Sequence, residues 1–253
     1  MIVNKVKQKL AAGQLVIGSI IFVPSAKLTE IISLSGFDFV VIDMEHGPVD
    51  IGLAEDMVRA AEGAGITPII RVTHNTPHLI LRALDIGALG VHVPEINNPD
   101  SARTMVESAK YSPEGHRGLA GIRAAQYGLK GSLADYAAAA NRETMVIAHI
   151  EDVQAINNLD ALLEVEGIDV YFLGPTDLSN SLGIPGQTKD PRVVELVEEA
   201  IKRIVEAGKI AGCITADPEA ARRYTTLGVR YLLTHAIKHM VVGSQRFMEE
   251  VRA

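Results

Sequence analysis

Residues 37–48 read FDFVVIDMEHGP: an apolar, β-branched run over 37–42 that gives way abruptly to Asp43, Glu45 and His46 ahead of a Gly-Pro pair. A strand that is apolar at successive positions, rather than at alternate ones, has both faces buried, as in a parallel sheet covered by helices. Runs of the same kind recur at 15–23, 67–72, 90–93, 145–150, 170–173, 210–214 and 229–233. Amphipathic helical patterns lie between them. The clearest covers 191–207, with Val193, Val197, Ile201, Ile204 and Val205 at helical spacing.

Four helices announce their starts as Thr76-Pro77, Asn98-Pro99, Asp190-Pro191 and Asp217-Pro218. The first side chain of each pair can accept from a free backbone N–H, and proline sits where its missing donor does no harm. Gly36, Gly65, Gly87, Gly167, Gly208 and Gly228 mark the stops before the next run. About eight strands alternating with helices in 253 residues predict an α/β fold, a single (β/α)8 TIM barrel spanning 1–253. The competing doubly wound sheet loses its commonest cofactor signature, because no G-x-G-x-x-G follows the first run.

One stretch breaks the rhythm. Residues 111–131, YSPEGHRGLAGIRAAQYGLKG, are glycine-rich and have no clean period. A loop of this length suggests either a lid or subunit contact at the barrel mouth, or a plain insertion. Arg117 and Arg123 within it are candidates to meet a distal substrate carboxylate, or else are solvated charges.

Composition excludes several classes of function. The net charge is −7 and aromatic residues make up 4% with no Trp, so neither a polyanion-binding surface nor a base-stacking platform is expected. The apolar run at 15–23 is broken by Gly18 and Ser19 and is too short to span a bilayer. The N-terminal residues mix charge with apolar side chains and lack a signal core. The single cysteine, Cys213, leaves no intrachain disulfide and no Cys-cluster zinc site. The expectation is a cytoplasmic protein with no nucleic-acid or membrane partner.

In a (β/α)8 barrel the chemistry sits at the C-terminal ends of the strands. By that rule Asp43 and His46 follow the second strand, Arg71 ends the third, His149 and Glu151 end the fifth, and Asp177 follows the sixth. Taken singly, Asp43, His74, His78, His92, His116, His235 and His239 read as structural, and Glu151 and Asp177 as helix caps. Together they are harder to dismiss, because unpaired buried charge costs several kcal/mol. Either Arg71 or a bound divalent cation must neutralise Glu151 and Asp177. Two carboxylates offer hard oxygen ligands to Mg²⁺ or Mn²⁺ and leave room for a chelating 2-oxo acid, whose developing enolate the ion would stabilise. Imine chemistry is unsupported, since no lysine ends a predicted strand.

At these residues the chain resembles the HpcH/HpaI family of metal-dependent pyruvate aldolases. The likeness covers nearly the whole chain and rests on FVVIDMEHGP (39–48), IIRVTHN (69–75), LDIGALGVHVPEINN (84–98), PEGHRG (113–118), HIED (149–152) and GPTDLSNSLG (174–183). The resemblance implies a lyase that reversibly cleaves a 4-hydroxy-2-oxo acid to pyruvate and an aldehyde. It implies that Glu151 and Asp177 hold Mg²⁺, Mn²⁺ or Co²⁺. Arg71 would contact the keto oxygen of pyruvate, and the backbone of Gly174, Pro175 and Thr176 would receive its carboxylate. His46, oriented near Asp43, would assist proton transfer. Asp85 of a neighbouring subunit would pair with that histidine in a homo-hexamer built as a trimer of dimers.

Two departures stand out. The family commonly carries Gln, lying against bound pyruvate, where this chain has His149, and an apolar residue where it has Glu95. An imidazole at 149 could donate a hydrogen bond, add a third metal ligand, alter the choice of 2-oxo acid, or simply fill similar volume. His92, on the adjacent strand, is a candidate to face the same space. The alternative reactions are decarboxylation or tautomerisation of a 2-oxo acid at the same site. A catalytically silent barrel that only binds is the reading from outside enzymology.

Overall fold

The structure, a computed structural model, describes residues 3–252. A short helix α1 (Lys5–Ala11) precedes β1 (Val16–Ile21) and α2 (Ala26–Ser33). The alternation continues through β2 (Phe39–Asp43), α3 (Ile51–Gly63), β3 (Thr67–Arg71), α4 (Pro77–Asp85), β4 (Gly90–Val93) and α5 (Pro99–Ala109). A 3-10 segment, Arg123–Gly128, and α6 (Leu133–Glu143) lead to β5 (Met145–Ile150), then α7 (Val153–Asn157), α8 (Leu159–Leu163) and β6 (Val170–Leu173). The chain ends with α9 (Pro175–Ser181), α10 (Pro191–Glu206), β7 (Ala211–Ile214), α11 (Pro218–Thr226), β8 (Tyr231–Thr234) and α12 (Ala236–Arg252). The eight strands close in sequence order into a parallel barrel, so the open-sheet alternative is excluded.

Period-two alternation sorts each strand between two cores. Val16, Ile20, Phe39, Val41, Ile69, Met145, Ile147, Val170, Phe172, Tyr231 and Leu233 fill the lumen, with Val6 and Leu10 of α1 packed against them. The intervening residues, such as Val40, Ile42, Ile70, Val146 and Leu173, pack outward against the helices. The same alternation carries Asp43, Arg71 and Glu151 onto the inward face two residues beyond Val41, Ile69 and His149. The fold therefore brings these three charges to one rim.

The expected helix boundaries hold with small shifts. Asn98, Asp190 and Asp217 cap their helices through side-chain hydrogen bonds, and Asn98 and Ser101 form a reciprocal capping box. Thr76 is a correction: it precedes α4 without a side-chain cap bond, leaving Pro77 alone to favour that start. All six predicted stop glycines adopt positive φ. At Gly228 a Cβ would also approach Val205 Cγ2 to 2.9 Å, so both conformation and space demand glycine there.

The segment at 111–131 is a second correction. It joins α5 to α6, at the end of the barrel where strands begin, and so lies opposite its own mouth rather than over it. Arg117 is buried, bonded to Asp85 at 2.7 Å and stacked on Tyr111. Arg123 pairs with Glu62 and donates to the carbonyl of Ile86 at 2.7 Å. Neither is a solvated charge, and neither faces this chain's own mouth. Among the described residues no helix is long and apolar enough to cross a membrane.

Candidate active site

Arg71 is the hub of the rim. Its guanidinium grips Asp43 with two bonds, Nε to Oδ1 at 2.9 Å and Nη2 to Oδ2 at 2.6 Å, while Nη1 lies 3.1 Å from Glu45 Oε2. The pairing is imposed by register, since Asp43 and Arg71 are direct partners on neighbouring strands. Burial pushes the Asp43 carboxyl up, but Arg71 and the backbone N–H groups of His46 and Glu45 outweigh it and hold it below the ordinary carboxylate value. Burial likewise opposes the charge on Arg71, and Asp43 and Glu45 more than restore it. Asp43 takes two of the five N–H donors of the guanidinium and Glu45 is an ion-pair partner of Nη1, so donors remain for a ligand.

Glu151 lies beside this pair. Its Oε2 accepts from His149 Nδ1 at 3.0 Å, and its Oε1 accepts the backbone N–H of Glu95 at 3.1 Å. Burial raises its pKa, but the His149 imidazole, the Glu95 N–H and Arg71 bring it down to about 2. Asp177 moves the other way, raised by burial and by the negative charge of Glu151. The two carboxylates converge on Gly174: a Cβ there would sit 3.0 Å from Glu151 Oε2 and 3.8 Å from Asp177 Oδ2. Two acidic groups that disfavour each other's charge, facing one glycine-kept space, form a donor set suited to a hard divalent cation. Among the described residues no three His, Cys, Asp or Glu side chains form a ready metal cluster, so such an ion would keep positions for water or substrate.

The remaining expected residues are placed as follows. Gly174 precedes α9 and Pro175 and Thr176 open it, so its first-turn N–H groups beyond Pro175 have no partner within the helix. Asp43 holds His46 by its backbone N–H at 3.3 Å and not by its ring. The imidazole of His46 stands largely exposed, with Nε2 4.0 Å from Glu45 Oε2. Asp85 ends α4 at the opposite end of the barrel and is bonded to Arg117, so within one chain it does not join the rim.

Three features escape a residue-by-residue reading of the sequence. Glu45 joins the rim through Arg71, and only its position between Asp43 and His46 hinted at this. Glu95 acts through its backbone: φ is 58°, the side chain is exposed, and the N–H points at Glu151. Its unexpected side chain is thereby accommodated, since position 95 is exposed. His149 is not free to be a metal ligand, because its Nδ1 serves Glu151 and its Nε2 lies 2.8 Å from His92 Nδ1.

Residues 19–231 match the family described as HpcH/HpaI aldolase/citrate lyase. The chain is similar to a pyruvate aldolase of Rhizobium etli, 37% identical over 230 residues that cover 90% of this chain and 89% of the relative. It is similar also to a 2-keto-3-deoxy-L-rhamnonate aldolase of Klebsiella pneumoniae, 38% identical over 231 residues covering 90% and 85%. Among solved structures it superposes on an HpcH/HpaI aldolase/citrate lyase family protein from Burkholderia cenocepacia with a TM-score of 0.93, at 31% identity, covering 99% of this chain and all of that one.

Proposed function

Because the chain belongs to the HpcH/HpaI aldolase/citrate lyase family and is a carbon–carbon lyase with aldolase relatives, we propose that it cleaves a 4-hydroxy-2-oxo acid reversibly to pyruvate and an aldehyde, with a divalent cation held by Glu151 and Asp177. The observation that carries this reading is the convergence of both carboxylates on Gly174, beside a guanidinium with donors to spare. A cation there would act as a Lewis acid on the 2-oxo group. Mg²⁺, Mn²⁺ and Co²⁺ all suit the oxygen donors.

The chain's own residues supply the rest. The N–H groups of Arg71 that Asp43 does not hold meet the keto oxygen and stabilise the negative charge that grows on it. The grip of Asp43 and Glu45 fixes that guanidinium beforehand, so little reorientation is needed during reaction. The backbone around Gly174 to Thr176, at the start of α9, receives the substrate carboxylate. His46, exposed beside Glu45, takes the 4-hydroxyl proton in cleavage and returns it in synthesis. Since both ring nitrogens of His149 are engaged inside the barrel, it offers no free group for tautomerisation or decarboxylation.

Assembly belongs to the same proposal. Residues Met240, Val241, Phe247 and Val251 of α12 are exposed, and so are Ile17 on the outward face of β1, Ile31 on α2 and Leu34 just after it. A helix with exposed apolar side chains beside an incompletely covered barrel wall supports contact with further copies of this chain, in a homo-hexamer arranged as a trimer of dimers. Asp85, remote from its own rim, would there reach the rim of a neighbour. The buried free thiol of Cys213 supports a cytoplasmic location.

Incubation of the protein with pyruvate, Mn²⁺ and a panel of aldehydes should yield 4-hydroxy-2-oxo acid adducts. EDTA should abolish their formation and added Mn²⁺ restore it. Adducts formed after thorough chelation would overturn the cation assignment, and decarboxylation of oxaloacetate without any adduct would overturn the aldolase reading.

A further inference from the structure

The lumen of the barrel contains a polar chain that nothing in the aldol chemistry requires. Tyr231 on β8, His92 on β4 and His149 on β5 are all buried, at 0%, 0% and 2% exposure. Tyr231 Oη lies 2.7 Å from His92 Nε2, His92 Nδ1 lies 2.8 Å from His149 Nε2, and His149 Nδ1 lies 3.0 Å from Glu151 Oε2. In a ring of eight strands β4 and β8 stand opposite each other, so the chain crosses the lumen before it surfaces at the rim. Aromatic rings wall it in. Phe172 packs against both imidazoles at 4.9 and 5.1 Å, and Phe39 stacks on Tyr231 at 4.4 Å.

Every link needs one donor and one acceptor, and the two ends decide which is which. A carboxylate at Glu151 has no hydrogen to give, so His149 presents Nδ1–H to it across the 3.0 Å contact. Among the described residues the Tyr231 hydroxyl has no partner except His92, so its O–H must donate to His92 Nε2. His92 is then protonated on Nδ1 and donates to the lone pair on His149 Nε2. All hydrogen bonds run one way, from Tyr231 to Glu151. The surroundings agree: burial pushes His92 well below the imidazole range and Tyr231 well above its own. The first stays neutral and the second keeps its proton.

The other fully buried tyrosine on these strands shows what an ordinary arrangement looks like. The hydroxyl of Tyr171 donates to the backbone carbonyl of Leu162 at 3.1 Å and leads nowhere. Tyr231 instead terminates a side-chain series whose far end is a candidate cation ligand.

We propose that Tyr231 and His92 are positioning residues for Glu151, imposing a single direction on the buried hydrogen-bond chain so that His149 is locked with Nδ1–H aimed at the carboxylate. The inference rests on reading Glu151 as a cation ligand. With one fixed donor on each oxygen, from His149 and from Glu95, a lone pair on each remains for the ion. Losing such an outer partner characteristically weakens metal binding roughly 10-fold to 100-fold.

Two measurements on the full-length protein test this. In the metal-free protein labelled with ¹⁵N-histidine, His92 and His149 should both show the Nδ1–H tautomer. In Tyr231→Phe, which loses only the hydroxyl, His92 should become a mixture of tautomers. Mn²⁺ binding, read from the free-ion electron paramagnetic resonance signal, should weaken about tenfold in Tyr231→Phe and further in His92→Phe. The control Tyr171→Phe, which removes an equally buried hydroxyl, should leave both readouts unchanged. An Nε2–H tautomer at His149 in the wild type, or equal Mn²⁺ affinity in wild type and Tyr231→Phe, overturns the positioning role. Wild type that shows the expected tautomers but binds no Mn²⁺ overturns instead the assignment of Glu151 as a cation ligand, and the purpose of the chain with it.

Discussion

A single ion pair connects stability to chemistry at the rim. Asp43 and Arg71 are both largely buried, and each is the other's main compensation for lost solvent. Removing one charge from such a pair leaves the other uncompensated, at a cost of about 3 kcal/mol. Asp43→Asn should therefore lower the unfolding free energy by about that amount at pH 7, as measured by urea denaturation. The folded-state pKa of Asp43 is depressed, so its contribution is fully present above the unfolded value near 3.8 and fades as pH falls below it. The gap between wild type and variant should narrow as pH falls below 3.8. A gap that stayed constant down to pH 3 would contradict the assigned coupling.

The catalytic use of that pair is tested by Arg71→Lys. Lysine keeps the charge but loses the planar fork that holds Asp43 while presenting further donors. A loss of about 10²-fold or more in kcat is expected, with little change in thermal midpoint. Retained turnover would remove Arg71 from the reaction.

At the scale of elements, the turn between β4 and α5 shows how local chemistry is passed to the rim. Pro94 and Glu95 follow β4; Glu95 takes φ of 58° and gives its N–H to Glu151, and three residues later Asn98 begins α5 with its capping box. Capping fixes where the helix starts and so where the turn must end. Asn98→Ala should cost about 1 kcal/mol and lower the thermal midpoint by about 3 °C. Because the Glu95 N–H is positioned from the other end of the same turn, Mn²⁺ affinity should fall along with stability. Unchanged stability would mean that Pro99 alone sets the start of α5.

The sequence read these elements well because their signals are local. Asn-Pro and Asp-Pro pairs, stop glycines and apolar runs each act within a few residues. Thr76 shows the limit of such reading. A residue type suited to capping does not cap unless its side chain finds the N–H, and here it does not.

Across the whole molecule, α12 is the element the barrel does not absorb. Only Ala236 at its start is buried, and from Met240 onward its apolar side chains face outward. Sedimentation velocity should return a mass that is a multiple of 27.1 kDa, and the pair Phe247→Asp with Val251→Asp should shift it toward the single chain. A monomeric wild type would refute the proposed assembly. The segment at 111–131 belongs to the same scale. Its arginines are turned inward to Asp85 and Glu62 at the end of the barrel far from the rim, a placement its composition did not encode.

By itself the sequence determined the strand–helix rhythm, the closed barrel, and the placement of Asp43, Arg71 and Glu151 at the C-terminal ends of strands, because apolar runs and the C-terminal-end rule need no knowledge of distant contacts. Tertiary structure alone decided that Arg71 is shared by Asp43 and Glu45, that Asp85 lies at the far end, and that His92 meets His149 and Tyr231 inside the lumen. Those contacts join residues up to 139 positions apart. They exist only once closure brings opposite strands within hydrogen-bonding distance, and no local pattern records that.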